Sequence, residues 1–236
     1  MRIPRLVLPA VLLALAACGP APDPAAEAAA KAAERSRAAD ELARQFDQHF
    51  AAGNWPLARA HGDVLIAQYP DTPAARRIAA QHAEARRKAD AAQEDKRLAA
   101  LWTYQSQPVG KGEQLSASIH ASEAIDTGGG RSRPQLIFRD HPEWGRSSYL
   151  VLENGDFDCY GGCRVEVSVD GTSRRMAASR PKTDEAIAMF IEDERALWRA
   201  VRDAERLVVT VPVKGGAKHE ATFEVGGLDP ARMPGW

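Results

Sequence analysis

The sequence predicts an α+β chain: an N-terminal α-helical hairpin and stalk, then an antiparallel β-sandwich with one packed helix. Three observations lead there. From Ala25 to about Tyr104 the chain is rich in alanine, arginine and glutamate and poor in β-branched residues, which is a helical composition. From Leu101 onward, short runs of period two are separated by glycine and proline, which is a strand texture. Within that region one stretch, Asp193 to Glu205, returns to helical spacing and places Leu197, Trp198 and Val201 on one face to cover the sheet. The chain has 236 residues, 44% of them hydrophobic and 27% charged, enough to bury such cores and to exclude wholesale disorder.

In the helical part, Leu42, Phe46 and Phe50 fall four apart on one face, and Gly53-Asn54 stops the helix. Asn54 caps the next helix with Pro56 in its first turn, Val64, Leu65 and Tyr69 form the returning face, and Pro70 ends it. Thr72-Pro73 repeats the cap-plus-proline signal and opens a third helix through Ile78. Between Ala79 and Arg97 no large apolar residue occurs, so this stretch reads as a solvated helix supported by same-face pairs such as Glu84 and Lys88. The run Gly53-Asn54-Trp55 to Tyr69-Pro70, continuing through Thr72-Pro73-Ala74, resembles one tetratricopeptide-like hairpin over roughly residues 40 to 85. A solenoid needs about three such repeats to bury its faces, and one is present, so no peptide groove is implied.

In the β-region, Leu115, Ala117 and Ile119 alternate with serine and histidine, Leu136 to Phe138 and Ser148 to Leu152 are short strands, and Val165, Val167 and Val169 form another. Leu207 to Val213 and Ala221 to Val225 supply the last two. Asn154-Gly155 and Asp170-Gly171 are hairpin signals. Trp102, Trp144 and Trp198 are expected to fill cores or cover edges, and Trp236 is the tryptophan left exposed. The opening tryptophan strand, the cysteine-bearing strand, Arg164 to Asp170, Met189 to Ile191 before a helix, and the late Phe223-x-Val225-Gly-Gly-Leu228 resemble a β-sandwich domain of uncharacterised bacterial envelope proteins. That domain is distantly similar to accessory proteins of type VI secretion.

The first residues concern location. Arg2 and Arg5 precede an apolar segment from Leu6 to Ala17, too short for a membrane anchor, and small residues follow, the order of a secretory signal. It ends in Leu15-Ala16-Ala17-Cys18, which resembles the lipobox of bacterial lipoproteins; the alternative is a plain secretory signal with an incidental cysteine. The resemblance implies a signal peptide over 1–17 and a lipidated Cys18. It further implies an outer-membrane, periplasm-facing location, since Gly19 rather than aspartate follows the cysteine. Residues 18–24 then form a proline-rich tether, 25–100 the helical hairpin and charged stalk, and 101–236 the β-sandwich domain. Export puts Cys159 and Cys163, spaced by Tyr-Gly-Gly, in an oxidising compartment, where a structural disulfide is the expected state. A redox pair more often spaces its cysteines by two residues, and a zinc site needs two further ligands that no neighbouring His or Cys provides.

Lys plus Arg number 31 against 32 Asp plus Glu, so there is no positive excess to drive nucleic-acid binding. No cofactor or metal site is expected. The chain carries no Gly-x-Ser-x-Gly and no His-Glu-x-x-His, and its Gly-rich Thr127 to Arg131 lacks the ending of a phosphate loop. The reading is therefore a non-catalytic protein, tethered to the membrane by lipid, whose β-domain binds an envelope protein. A periplasmic inhibitor or immunity protein against a cell-wall-degrading enzyme is the alternative, with a hydrolase behind it. The candidate binding loops are Gly128, Gly129, Gly130 and Arg131, a mobile turn, and Asp140, His141 and Glu143, which sit between strands beside Ser147 and Ser148.

Overall fold

A computed structural model describes residues 23–182, 187–215 and 217–236. The lipobox and Cys18 lie outside the described residues. The chain divides after Lys88 into two compact units.

The first unit holds α1 (Pro24–Ala51), α2 (Trp55–Gln68) and the greater part of α3 (Pro73–Ala99). The second and third starts are those the sequence predicts, while the first begins at Pro24, within the expected tether. The Asp23 carboxylate accepts the Ala25 N–H ahead of Pro24, the Asn54 side chain accepts the Leu57 N–H, and Thr72 Oγ1 accepts the Ala75 N–H. Phe46, Leu65 and Ile78 are fully buried with small residues around them, Ala39, Ala43, Ala58 and Ala85 among them. The expectation of a solvated third helix beyond Ala79 holds only in part, because His82 and Ala85 are buried. A large apolar residue was not needed: Gly62 lets the His82 ring in, and a Cβ at that glycine would lie 2.4 Å from His82 Cδ2. The imidazole then meets the Asp63 carboxylate at 2.7 Å.

The second unit is antiparallel β with one packed helix, the fold class the sequence predicts. Its strands are β1 (Trp102–Val109), β2 (Gly112–His120), β3 (Ile125–Asp126), β4 (Arg131–Ser132), β5 (Gln135–His141), β6 (Gly145–Val151), β7 (Cys163–Val169), β8 (Thr172–Ser179), β9 (Ala188–Ile191), β10 (Arg206–Pro212) and β11 (Lys218–Glu224), with α4 (Glu194–Arg202) after β9. Among the described residues the sandwich is built from a single nine-stranded sheet in the order β1-β2-β5-β6-β9-β8-β7-β10-β11, while β3 and β4 form a separate small hairpin. The sheet curls until its two ends approach. Trp102 Nε1 on β1 donates to the Val225 carbonyl just past β11, and the Ser122 N–H after β2 donates to Thr222 O within β11. One face of every long strand thus enters one core. Phe138, Leu150, Met189, Ile191, Val167, Val209 and Phe223 are all essentially inaccessible. Asp193 caps α4 by accepting the Ala196 N–H, and Leu197, Trp198 and Val201 close the core from above, with Trp198 edge-on to Phe138 at 5.0 Å.

Two expectations need correction. Asn154-Gly155 does not join paired strands, since β6 pairs with β9 rather than β7. It is a turn in a crossover, and Gly155 is required because a Cβ there would lie 2.3 Å from Thr127 Oγ1. Asp170-Gly171 does join β7 to β8, with both residues at positive φ as a tight hairpin demands. The tryptophans exchange roles: Trp144 is 70% exposed, whereas Trp236 packs on Phe138 and Trp198.

Candidate functional site

The candidate loops fall at opposite ends of β5. Gly128 to Arg131 lies before the strand and Asp140 to Glu143 at its far end, and seven residues of strand span roughly 20 Å. They therefore do not form one site. The first loop is also tied down. Thr127 donates through both its N–H and its hydroxyl to Gly130 O, Gly128 N–H donates to the Asp126 carboxylate, and the Arg131 guanidinium donates to Ala124 O. A mobile turn was expected; the β3–β4 hairpin holds a closed one. Its exposed atoms are mainly glycine backbone.

The second loop opens onto a more distinctive surface. His141 is buried, and its Nδ1 accepts the backbone N–H groups of Glu143 and Trp144 at 3.1 and 3.2 Å, which fixes the turn. The Trp144 ring lies flat on the imidazole, 4.0 Å between centroids and 7° between planes. Asp140 pairs with Arg146 at 3.5 Å, and Glu143 points into solvent beside Gly110.

Alternation along β5 and β6 turns Phe138, Ser148 and Leu150 inward, so Ile137, Arg139 and Tyr149 face outward. The pairing Ile137 to Tyr149 to Phe190 carries this outward row onto β9. Arg139 holds its guanidinium over two rings, 5.5 Å from the centre of Trp144 and 5.3 Å from that of Tyr149, and its Nε donates to Ser147 Oγ. Tyr149 in turn meets Phe190 at 5.1 Å. The result is a continuous ladder, His141, Trp144, Arg139, Tyr149 and Phe190, across three strands. Burial pushes the Tyr149 phenol above its ordinary pKa, against the pull of the Arg139 charge, so the hydroxyl is a neutral donor at neutral pH. Such a ladder can stack, donate hydrogen bonds and attract a carboxylate.

Sequence reading picked Asp140, His141 and Glu143 from this surface and missed its working part. The outward position of Arg139 and Tyr149 is implied by alternation once the strands are fixed. Phe190 enters only through the long-range pairing of β6 with β9, for which no local signal exists.

The cysteine loop carries a separate polar cluster. Cys159 and Cys163 are bonded, with sulfurs 2.05 Å apart and Cα atoms 5.1 Å apart, and Gly161 and Gly162 supply the positive φ angles that close the loop. Arg180, 4% exposed, donates through Nε to Asp156 at 2.9 Å and through its backbone N–H to Cys159 O. Its guanidinium also lies over the Tyr160 ring, and the Tyr160 hydroxyl donates to the other Asp156 oxygen. Burial disfavours the Asp156 charge, but the hydrogen bonds from Tyr160, Arg180 and the Phe157 N–H outweigh it and hold the carboxyl below its usual pKa. This network is the main polar feature that the sequence did not disclose.

No family model matches the chain, and no curated protein matches it. Among solved structures, the crystal structure of invasion associated protein b from Bartonella henselae is similar at a TM-score of 0.36 and 13% identity, covering 54% of this chain and 85% of that chain. Among the described residues no helix is long and apolar enough to cross a membrane, and no group of three or more His, Cys, Asp or Glu side chains is placed to hold a metal ion.

Proposed function

We propose that this chain is a non-catalytic lipoprotein, anchored through Cys18 and facing the periplasm, whose β-unit binds an envelope protein through the Trp144 ladder. The anchoring half rests on Leu15-Ala16-Ala17-Cys18 after a short apolar segment. The binding half rests on one observation: Trp144 is 70% exposed yet stacked on the buried His141 ring, with the Arg139 guanidinium against it as well. An exposed indole contributes little to folding. Fixed in one orientation beside arginine and tyrosine, it has the composition and preorganisation of an interface anchor.

The test is cross-linking in intact envelopes followed by identification of the captured protein. Trp144→Ala and Arg139→Ser are expected to remove the captured band while leaving the unfolding temperature unchanged. Leu57→Ala, at another exposed apolar position, should leave capture intact. Capture that survives both ladder variants would refute the binding half. Cys18→Ser that still sediments with membranes after a high-salt wash would refute the anchoring half. If the captured partner is a lytic enzyme and loses activity on binding, the inhibitor reading replaces the scaffold reading.

A further inference from the structure

A second surface lies where α4 meets the start of β6. A pocket of about 290 Å³ is walled by Arg146 of β6, by Arg195, Arg199 and Arg202 of α4, and by the indoles of Trp198 and Trp236. Gly235 lets the last residues settle here, since a Cβ at that position would lie 2.1 Å from Asp140 Oδ2. Four arginines thus line one pocket in a chain whose formal charge is −1.

Local structure does not account for them. Arg199 and Arg202 lie in the last turn of α4, where a cation suits the helix dipole, but Arg195 sits in the first turn, where it opposes it. Arg195 and Arg199 are also a like-charge pair one turn apart, which weakens a helix. Neither has an ion-pair partner among the described residues, whereas Arg146 has Asp140 and Arg202 has Asp203. Arg195 and Arg199 are both exposed, so their charges are open to an incoming anion. Trp198 is 3% exposed and provides an apolar wall, and the Nε1–H of Trp236, held in place by ring packing on Trp198 and Phe138, has no acceptor.

We propose that this pocket binds a sugar phosphate. A phosphate monoester carries about −1.5 to −2 at neutral pH and offers several acceptor oxygens to a cluster of arginines. Guanidiniums grip phosphate oxygens in pairs, and the sugar ring rests against the partly exposed Trp236. The same chemistry occurs in a soluble metabolite and in a phosphorylated glycolipid headgroup.

The experiment uses the full chain in a non-ionic detergent, titrated by calorimetry with glucose 6-phosphate, glucose, inorganic phosphate and detergent-dispersed lipid A. Saturable binding of glucose 6-phosphate or lipid A is expected, at least about tenfold tighter than inorganic phosphate, with none for glucose. The tighter of the two identifies the source as free or lipid-borne. Arg195→Gln with Arg199→Gln should weaken binding by roughly tenfold or more while the ligand-free unfolding temperature stays level or rises, since two repelling charges are gone. Absence of saturable binding by both sugar phosphates at millimolar concentration, or binding that the double variant leaves unchanged, overturns the proposal.

Discussion

Removing the Asp156 carboxylate is expected to cost the β-unit about 3 to 4 kcal/mol. The Arg180 side chain is only 3% exposed and Asp156 is 19% exposed, so solvent does little to screen the pair. Deleting one member of a buried pair costs about 3–5 kcal/mol, because the remaining charge keeps its desolvation penalty while losing its partner's attraction. Asp156→Ala also takes the acceptor from the Phe157 N–H, 2.8 Å away, worth about 1 kcal/mol. Water entering from the exposed side of Asp156, together with the Pro181 carbonyl that Arg180 retains, brings the sum to the lower part of the range. At roughly 3 °C per kcal/mol for a unit of this size, the midpoint should fall by about 10 °C. Thermal unfolding of the wild type, Asp156→Ala and the double variant Asp156→Ala with Arg180→Met would measure this, and the double variant should recover at least about 1 kcal/mol as the buried charge is removed. The pH dependence has a definite sign. The folded-state pKa of Asp156 lies below its unfolded value of about 3.9, so the contribution is complete above that value and disappears as pH falls through the folded pKa. The gap between wild type and Asp156→Ala should therefore be level from pH 5 to 8 and narrow below about pH 4. A loss under about 1 kcal/mol, or a double variant no more stable than the single one, would refute the reasoning.

Replacing Cys159 and Cys163 by serine should cost about 2 kcal/mol, the value for so short a closed loop, and adding reductant to the wild type should give the same shift; an unfolding curve indifferent to reductant would count against it. Gly62→Ala, which in an open helix stabilises by about 1 kcal/mol, should instead destabilise the helical unit by about 1–3 kcal/mol, because the new methyl displaces His82 from Asp63. Any rise in stability would show that the ring moves freely. A fragment beginning at Ala89 should be more stable than one beginning at Leu101 by about 1–2 kcal/mol, because Leu98 and Ala99 press on Gly227 and Arg97 bridges Glu94 and Glu224; equal unfolding temperatures would disprove it.

What the sequence made legible was local. Helix starts at Asn54 and Thr72 follow from side chains that cap their own backbone, and β2, β5, β7, β10 and β11 follow from alternation. β8 escaped because Thr172 to Ser179 offers only Met176 and Ala178 to the core while Arg174 and Arg175, on opposite faces, are both exposed, so its pattern is too polar to read as a strand. The burial of His82 was hidden because its enabling residue is a glycine twenty positions away. The tryptophans were misassigned for a related reason. Hydrophobicity says that an indole prefers burial, but position in the fold decides, and Trp144 occupies a hairpin tip while Trp236 reaches back to Phe138. Asp140, His141 and Glu143 were legible as a polar loop, yet Phe190 and the Asp156–Arg180 pair come together only through tertiary pairing.

The strand order also governs how quickly the β-unit can assemble. β1, β2, β5 and β6 form one meander and β7, β8 and β9 another, each built from neighbours along the chain. Two seams remain, β6 against β9 and β7 against β10, and at the first Ser148 meets Ile191 across a separation of 43 residues. Closing such loops must precede any reward from the contacts, so the β-unit should fold in milliseconds to seconds while the helical hairpin, held by local contacts, forms far sooner. Until the seams close, β6, β9, β7 and β10 each present an unpaired edge. A newly made chain is therefore most exposed to mispairing with another copy along these strands, and a factor that shields them briefly would raise the yield of native protein without touching its final stability.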